Sequence, residues 1–291
     1  MAHNKNSKNP FLTSKMKKQL QLLLKNKLTE KQLSLLPSSY DMIGDILIFS
    51  DISKELLKKE KIIGEALLTL HKNINVIIKK TKKFSGKYRL PKLKVIAGED
   101  RKETIHKENS VKLKLNVEKV YFSPRLSTER KRINLLVKPN ESVLVMFSGC
   151  GVYPVNISKN TQAKEIYGIE INPIAHRYAV ENLKLNRANN VKLSLGDVKK
   201  KIPKLNKKFD RILMPLPKDA GDFLKSAFAV TKKRAIIHFY TFGQEKEFEN
   251  IKKKLIDKCE KLGKKIKILN LVRCGQYSPY TYRICIDFRI L

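Results

Sequence analysis

The sequence predicts an α/β chain: a Rossmann-like domain over residues 119–291, a small α+β domain over 31–118 before it, and a basic arm over 1–30. Three observations carry the prediction. Val143 to Phe147 is an unbroken apolar run of strand length, as expected of a buried parallel strand. Gly149 and Gly151 follow at once, where backbone must pass close to a ligand and a side chain would obstruct it. Glu170 closes the next apolar run, about 20 residues on, where an acid in this kind of fold grips ribose hydroxyls. Together they describe a nucleoside site.

The glycine loop narrows the ligand. A dinucleotide loop usually continues to a third glycine that lets the helix pack on the strand. Here the loop reads Val152-Tyr153-Pro154, with proline at that third position. S-adenosyl-L-methionine (AdoMet), a smaller ligand, tolerates this more readily than NAD.

Composition bounds the partners. With 62 Lys and Arg against 27 Asp and Glu, the net charge is +35, and a phosphate-bearing polymer is the natural counterpart of such a field. Part of the excess fits a Lys-, Asn- and Ile-rich genome bias. An anionic membrane surface would favour a strongly amphipathic basic helix, and no apolar run approaches membrane-spanning length. The N-terminus lacks the apolar core of a secretory signal. Cys150, Cys259, Cys274 and Cys285 are scattered without metal-ligand spacing, which reads as reduced thiols in a cytoplasmic protein and no metal site.

Taken in order, residues 1–31 hold eight lysines and one acid, with leucines from Leu20 to Leu28 that suit a short helix. Both a solubilising arm and a phosphate-tracking arm fit this pattern. Tyr40–Phe49 reads as two short strands around a Gly44-Asp45 turn. Ser53 offers an N-cap to a helix over Glu55–Leu70, and Asn75–Ile78 is a strand. Residues 79–95 read as a cationic loop with Phe84 and Tyr88 among lysines, a composition that suits stacking on exposed RNA bases. The alternation of Val111, Leu113, Leu115 and Val117 predicts a half-buried strand, followed by another through Val120–Phe122. Strands over 143–147, 166–170, 191–195, 209–213 and 235–240 then alternate with helices over 173–185, 219–230 and 244–262. Two closing strands, 266–272 and 282–290, complete an order that suits a class I methyltransferase better than a nicotinamide enzyme.

One string is more specific than any pattern. The segment YFSPRLSTERKRI (121–133) resembles the archaeal and eukaryotic tRNA (guanine-37-N1)-methyltransferases. The likeness continues through IHKEN (105–109), MFSGCG (146–151), IEINP (169–173), ENLKLN (181–186), GD (196–197), LPK (216–218) and IIHFY (236–240), and spans essentially Leu36 to Leu291. The resemblance implies AdoMet as methyl donor and tRNA as partner, bound through its anticodon stem-loop at position 37 by a monomer. It further implies that Glu129 removes the N1 proton of guanine while Arg89 steadies charge on O6. Tyr121 and Arg125 would shape the guanine pocket, with Pro215 and Pro217 on the substrate side. Arg130, Phe147, Gly149, Gly151, Glu170, Ile171, Asp197 and Val198 would hold AdoMet. Read without the resemblance, Glu129 is an acid in the first turn of a helix and Asp197 an Asx turn.

Two positions depart from the family pattern. Val145 stands where an acid is usual, and Pro215 replaces an asparagine whose amide orients the donor or target base. Two rival functions follow. One is the AdoMet-dependent aminocarboxypropyl transfer of the wybutosine pathway, against which Arg89 and Arg125 both count. The other is a non-catalytic tRNA-binding protein.

Overall fold

A computed structural model describes residues 14–37, 39–49 and 52–291. The first part of the basic arm, residues 1–13, lies outside the described residues, as does the side chain of Phe84. The chain forms two compact units: residues 1–106 with 114–124, and residues 107–113 with 125–291.

The first unit opens with helices α1 (Ser14–Leu24) and α2 (Glu30–Ser34) and strands β1 (Tyr40–Ile43) and β2 (Ile46–Phe49). Helix α3 (Glu60–Leu70) and strands β3 (Val76–Ser85) and β4 (Leu90–Gly98) follow, then hairpin strands β5 (Glu103–Glu108) and β6 (Val111–Asn116), of which residues 107–113 belong to the second unit. The sheet order is β1-β2-β3-β4, and only β2 and β3 run parallel. A parallel pair needs a crossover, which α3 supplies. Leu20, Leu24 and Leu28 recur at helical spacing and are buried in this unit's core with Phe49, Ile63 and Leu67. The leucine stripe thus draws the described part of the arm into the core, so removing residues 1–30 would take core with it.

Three expectations are corrected here. Residues 79–95 are not a loop but most of the β3–β4 hairpin. Pro91 and Leu93 are buried while Lys92 and Lys94 face out, so the lysines are one side of a two-faced strand. Only Gly86 to Arg89 forms the turn, where Arg89 N–H donates to Gly86 O at 3.1 Å and Arg89 is left-handed at φ 51°. The strand expected at Val120–Phe122 is irregular chain. The helix expected from Glu55 is a 3-10 turn (Lys54–Lys59) that becomes α-helical at Glu60, and Ser53 makes no side-chain cap.

The second unit contains α4 (Ser127–Leu136), β7 (Ser142–Met146), α5 (Val152–Asn160), β8 (Glu165–Glu170), α6 (Pro173–Asn186) and β9 (Val191–Leu195). It continues with α7 (Val198–Lys201), β10 (Phe209–Met214), α8 (Leu224–Ala229), β11 (Thr231–Gln244), α9 (Phe248–Lys261), β12 (Ile266–Ser278) and β13 (Thr281–Ile290). The seven strands are ordered β12-β13-β11-β10-β7-β8-β9. Strands β7 to β11 run parallel, whereas β13 is antiparallel to both β11 and β12. This is the α/β sheet with two closing strands that the sequence predicts. Every residue of β7 is buried, Val145 included, as the centre of a sheet covered on both faces requires. The order of strands reverses at β7, so the crevice at the C-terminal ends of β7 and β8 is the expected ligand position.

Candidate functional site

The loop after β7 is shaped by three left-handed residues: Phe147 (φ 64°), Gly149 (φ 58°) and Gly151 (φ 80°). At Gly151 an added Cβ would lie 3.1 Å from the Cβ of Ala179 on α6, so close packing as well as φ demands glycine. Gly151 thereby does the packing that a third glycine does in dinucleotide loops. Pro154 sits in the first turn of α5, where a backbone N–H has no helical partner to lose. Asn182 Nδ2 on α6 donates to Cys150 O at 3.0 Å and straps the loop down.

Glu170 ends β8 against this loop. Gly149 N–H donates to Oε2 at 2.6 Å and Asn172 N–H to Oε1 at 2.7 Å, so each oxygen is aimed by one backbone donor. A carboxylate offers about four acceptor sites, and vicinal hydroxyls of a ribose suit those that remain. Burial raises the Glu170 pKa against the pull of those N–H groups. Ile171 is half-buried beside it. At the end of β9, Asp197 caps α7 by accepting from Lys199 N–H at 2.8 Å, the Asx geometry its sequence context suggests, and Val198 is buried next to it. The Phe147 ring meets Phe223 edge-on at 4.8 Å, which gives this crevice an aromatic wall. A carboxylate aimed at a diol, backbone at close approach and apolar walls fit a nucleoside such as that of AdoMet.

Cys150 lies in the loop at 0 % exposure, and burial pushes its thiol up to about 12, the nearby Arg130 notwithstanding. It is no nucleophile at neutral pH. Arg130 itself is buried and holds Glu108 through two bonds of 2.5 Å, while Asn156 on α5 donates to the same carboxylate at 3.2 Å. It stands beside the glycine loop rather than opening to solvent.

Glu129 begins a second constellation. It is 3 % exposed. Its Oε2 accepts from Arg132 Nε at 2.7 Å, and its Oε1 accepts from the Arg132 guanidinium at 2.8 Å and the Tyr240 hydroxyl at 2.6 Å. With about four acceptor sites per carboxylate, one on Oε2 is left for a further donor. Arg132 also donates to Asp287 at 2.6 Å. Asp287 meets His238 Nδ1 at 2.5 Å, and His238 Nε2 meets Arg211 at 2.7 Å. Arg211, 1 % exposed, ends the series on Glu141 at 2.6 Å. Burial and the flanking guanidiniums lower the His238 pKa, so the imidazole is neutral, donating from Nδ1 and accepting at Nε2. Burial of Asp287 works against its charge, but the His238 and Arg132 bonds outweigh it and hold the carboxyl far below its usual range.

Three carboxylates and two guanidiniums therefore surround one neutral imidazole. The ligand atoms of His238, Cys285 and Asp287 lie within 4.8 Å of one another, a spacing a metal could use. Two guanidiniums bonded to the same groups make a cation costly there. The cluster is an ionic relay.

The remaining expected residues are spread over both units. Arg89 and Tyr121 belong to the first, the former in the hairpin turn and the latter 36 % exposed. Arg125 is exposed in a 3-10 turn (Pro124–Leu126) that leads into α4 of the second. Pro215 and Pro217 follow β10, at the same end of the sheet as Gly149. A polar hollow lined by Lys138, Glu141, Asp210 and Arg234 lies at the opposite, N-terminal ends of β10 and β11, away from the crevice. Sequence reasoning missed Arg132, Tyr240, His238 and Asp287 as a group. IIHFY (236–240) was a visible signal, but the partner of His238 is set by the register of β11 on β13, which places it opposite Asp287.

Comparison with known proteins gives this arrangement relatives. The TRM5/TYW2 methyltransferase domain family matches residues 104–269, and the TYW2 N-terminal domain family matches residues 20–101. The tRNA (guanine(37)-N(1))-methyltransferase Trm5b of Pyrococcus abyssi is 41 % identical over 260 residues, covering 88 % of this chain and 76 % of that one. The tRNA(Phe) (4-demethylwyosine(37)-C(7)) aminocarboxypropyltransferase of Methanocaldococcus jannaschii is 32 % identical over 249 residues, covering 85 % and 96 %. The solved complex of aTrm5 with tRNALeu superposes with a TM-score of 0.80 at 31 % identity, covering 100 % of this chain and 82 % of that one.

Proposed function

The chain belongs to the TRM5/TYW2 methyltransferase family, and from that premise we propose that it transfers the methyl group of AdoMet to N1 of guanosine-37 in tRNA. The observation that carries the reading is the Glu170 cradle, joined to 41 % identity with an enzyme named for this reaction. AdoMet, when bound, supplies an electrophilic methyl.

The chain's own residues supply the rest. Glu170 holds the ribose diol, with Gly149 and Gly151 keeping the loop backbone close. Phe147, Ile171 and Val198 flank the adenine, and Asp197 accepts from its amino group. Arg130, bound to Glu108, steadies the loop from the protein side. Guanine N1 carries a proton at neutral pH, so a base has to accept it as the methyl arrives. Glu129 Oε2 is that acceptor, and Arg132 and Tyr240 fix its orientation. The charge passed to O6 needs a cation, which the resemblance assigns to Arg89. Arg125, Pro215 and Pro217 frame the purine, Pro215 without the side-chain amide usual at its position, and the resemblance assigns Tyr121 the same role. The protein acts as a monomer in the cytoplasm.

The match of residues 20–101 to a TYW2 N-terminal domain favours aminocarboxypropyl transfer as the second reading. Incubation of AdoMet with tRNA carrying G37, A37 or 4-demethylwyosine at position 37, followed by mass analysis of nucleosides, separates the two. A methylated guanosine from G37 tRNA alone supports the proposal. An aminocarboxypropyl product, or none, overturns it.

A further inference from the structure

Unit two presents a second aromatic and basic surface, at the tip where β12 turns into β13. Tyr277 and Tyr280, in and just after the end of β12, are 64 % and 79 % exposed, the most exposed aromatic side chains of this unit. Tyr277 lies against Phe242 at the end of β11, with ring centroids 4.2 Å apart and planes tilted by 35°. Arg283 on β13 sits 5.5 Å over the same Phe242 ring, and Arg273 on β12 sits 5.4 Å over Tyr282. The register explains the grouping: Arg283 pairs with Phe242 on one side and with Gly275 on the other. A Cβ at Gly275 would meet nothing within 4 Å, so the surface beside Arg283 is open. Glu245 pairs with Arg273.

The topology says where this surface stands. Strands β7, β8, β10 and β11 run parallel, so the end of β11 is on the same edge of the sheet as Gly149 and Glu170. In the order β13-β11-β10-β7-β8, the aromatic tip stands to one side of the segment after β10 and the cofactor cradle to the other. Flat rings beside guanidiniums, on a chain of net charge +35, suit nucleobases with their phosphates better than an apolar protein face.

We propose that the β12–β13 tip is a base-stacking platform for an unpaired anticodon-loop nucleotide that neighbours the target guanosine. Tyr277 and Tyr280 supply the faces, and Arg273 and Arg283 the attraction for the flanking phosphates. The proposal rests on the anticodon-loop reading above, so its test uses binding alone.

The test is a G37 tRNA with 2-aminopurine placed next to the target guanosine on either side. Stacking quenches this base further when the protein binds. The expected result is added quenching with the wild-type chain, its loss in Y277A/Y280A, and tRNA affinity lowered on the order of ten-fold. Y277F/Y280F should restore both, and AdoMet affinity by calorimetry should stay unchanged throughout. Quenching and affinity retained within two-fold in Y277A/Y280A would overturn the platform, as would phenylalanine variants that fail like the alanine ones. Absence of methylated guanosine in the nucleoside assay would instead count against the reaction while leaving the binding result interpretable.

Discussion

The cofactor cradle and the ionic relay occupy one unit and are built in opposite ways. The cradle is local: Phe147 to Gly151 and Glu170 to Asn172 sit at the ends of neighbouring strands, and backbone N–H groups do most of the aiming. The relay is assembled from afar. Glu129 and Arg132 come from α4, Arg211 from β10, His238 from β11 and Asp287 from β13, with 155 positions between Arg132 and Asp287. A site that binds can be made from one turn of chain. A site that positions a buried carboxylate draws on the whole sheet, because each buried charge needs a partner that no neighbour in sequence provides.

That contrast predicts different costs of damage. Breaking the relay should be global. Asp287→Ala leaves Arg132 and His238 without their shared acceptor, and the expected loss is about 3–5 kcal/mol of stability in urea unfolding. An unfolding free energy within about 1 kcal/mol of wild type would show the relay to be ornamental. Breaking the cradle should be confined to ligand. Glu170→Ala removes charge-assisted bonds worth about 1.5–3 kcal/mol, so AdoMet affinity by calorimetry should fall roughly 10- to 100-fold while the folded state persists. Gly151→Ala crosses the two classes: the left-handed backbone alone costs about 1–2 kcal/mol, and crowding on Ala179 shifts the loop, so stability and AdoMet affinity should drop together.

The smallest effect is in pH. The folded His238 pKa is lowered from an ordinary value near about 6.5, so the unfolded chain binds more protons below that value. Stability is present above it and falls as pH drops. His71 and His176, also lowered by burial, add in the same direction. Asp287, with its depressed pKa, adds a further loss in stronger acid, beginning near its unfolded value of about 3.9. Glu170, raised by burial, works the other way, so the check is made in Glu170→Gln: a melting temperature that stays level from pH 7 to 5 in that variant would contradict the assignment of a neutral buried imidazole.

The same contrast explains what the sequence could disclose. The apolar run into Gly149 and Gly151, and the acid ending the next strand, are legible because strand, turn and cap are short-range events. Residues 79–95 misled because lysine density hid the alternation around Pro91 and Leu93 that makes a two-faced strand. The Leu20–Leu28 stripe was visible as a helix, but its burial depends on the core it meets. His238 was quoted within a motif without a role, since its partner Asp287 is named only by antiparallel register. The tyrosines at 277 and 280 fall between the two closing strands with no pattern that singles them out, and only the end of β11 beside them supplies the third ring.

The central claim is that Glu129, oriented by Arg132 and Tyr240, accepts the N1 proton of the target guanine. The most direct measurement is single-turnover methyl transfer to G37 tRNA by Glu129→Gln, with AdoMet affinity and melting temperature followed in parallel. The account predicts a rate lower by about 10²–10⁴ with the cofactor still bound. A rate within about three-fold of wild type, far short of what a general base supplies, would contradict it.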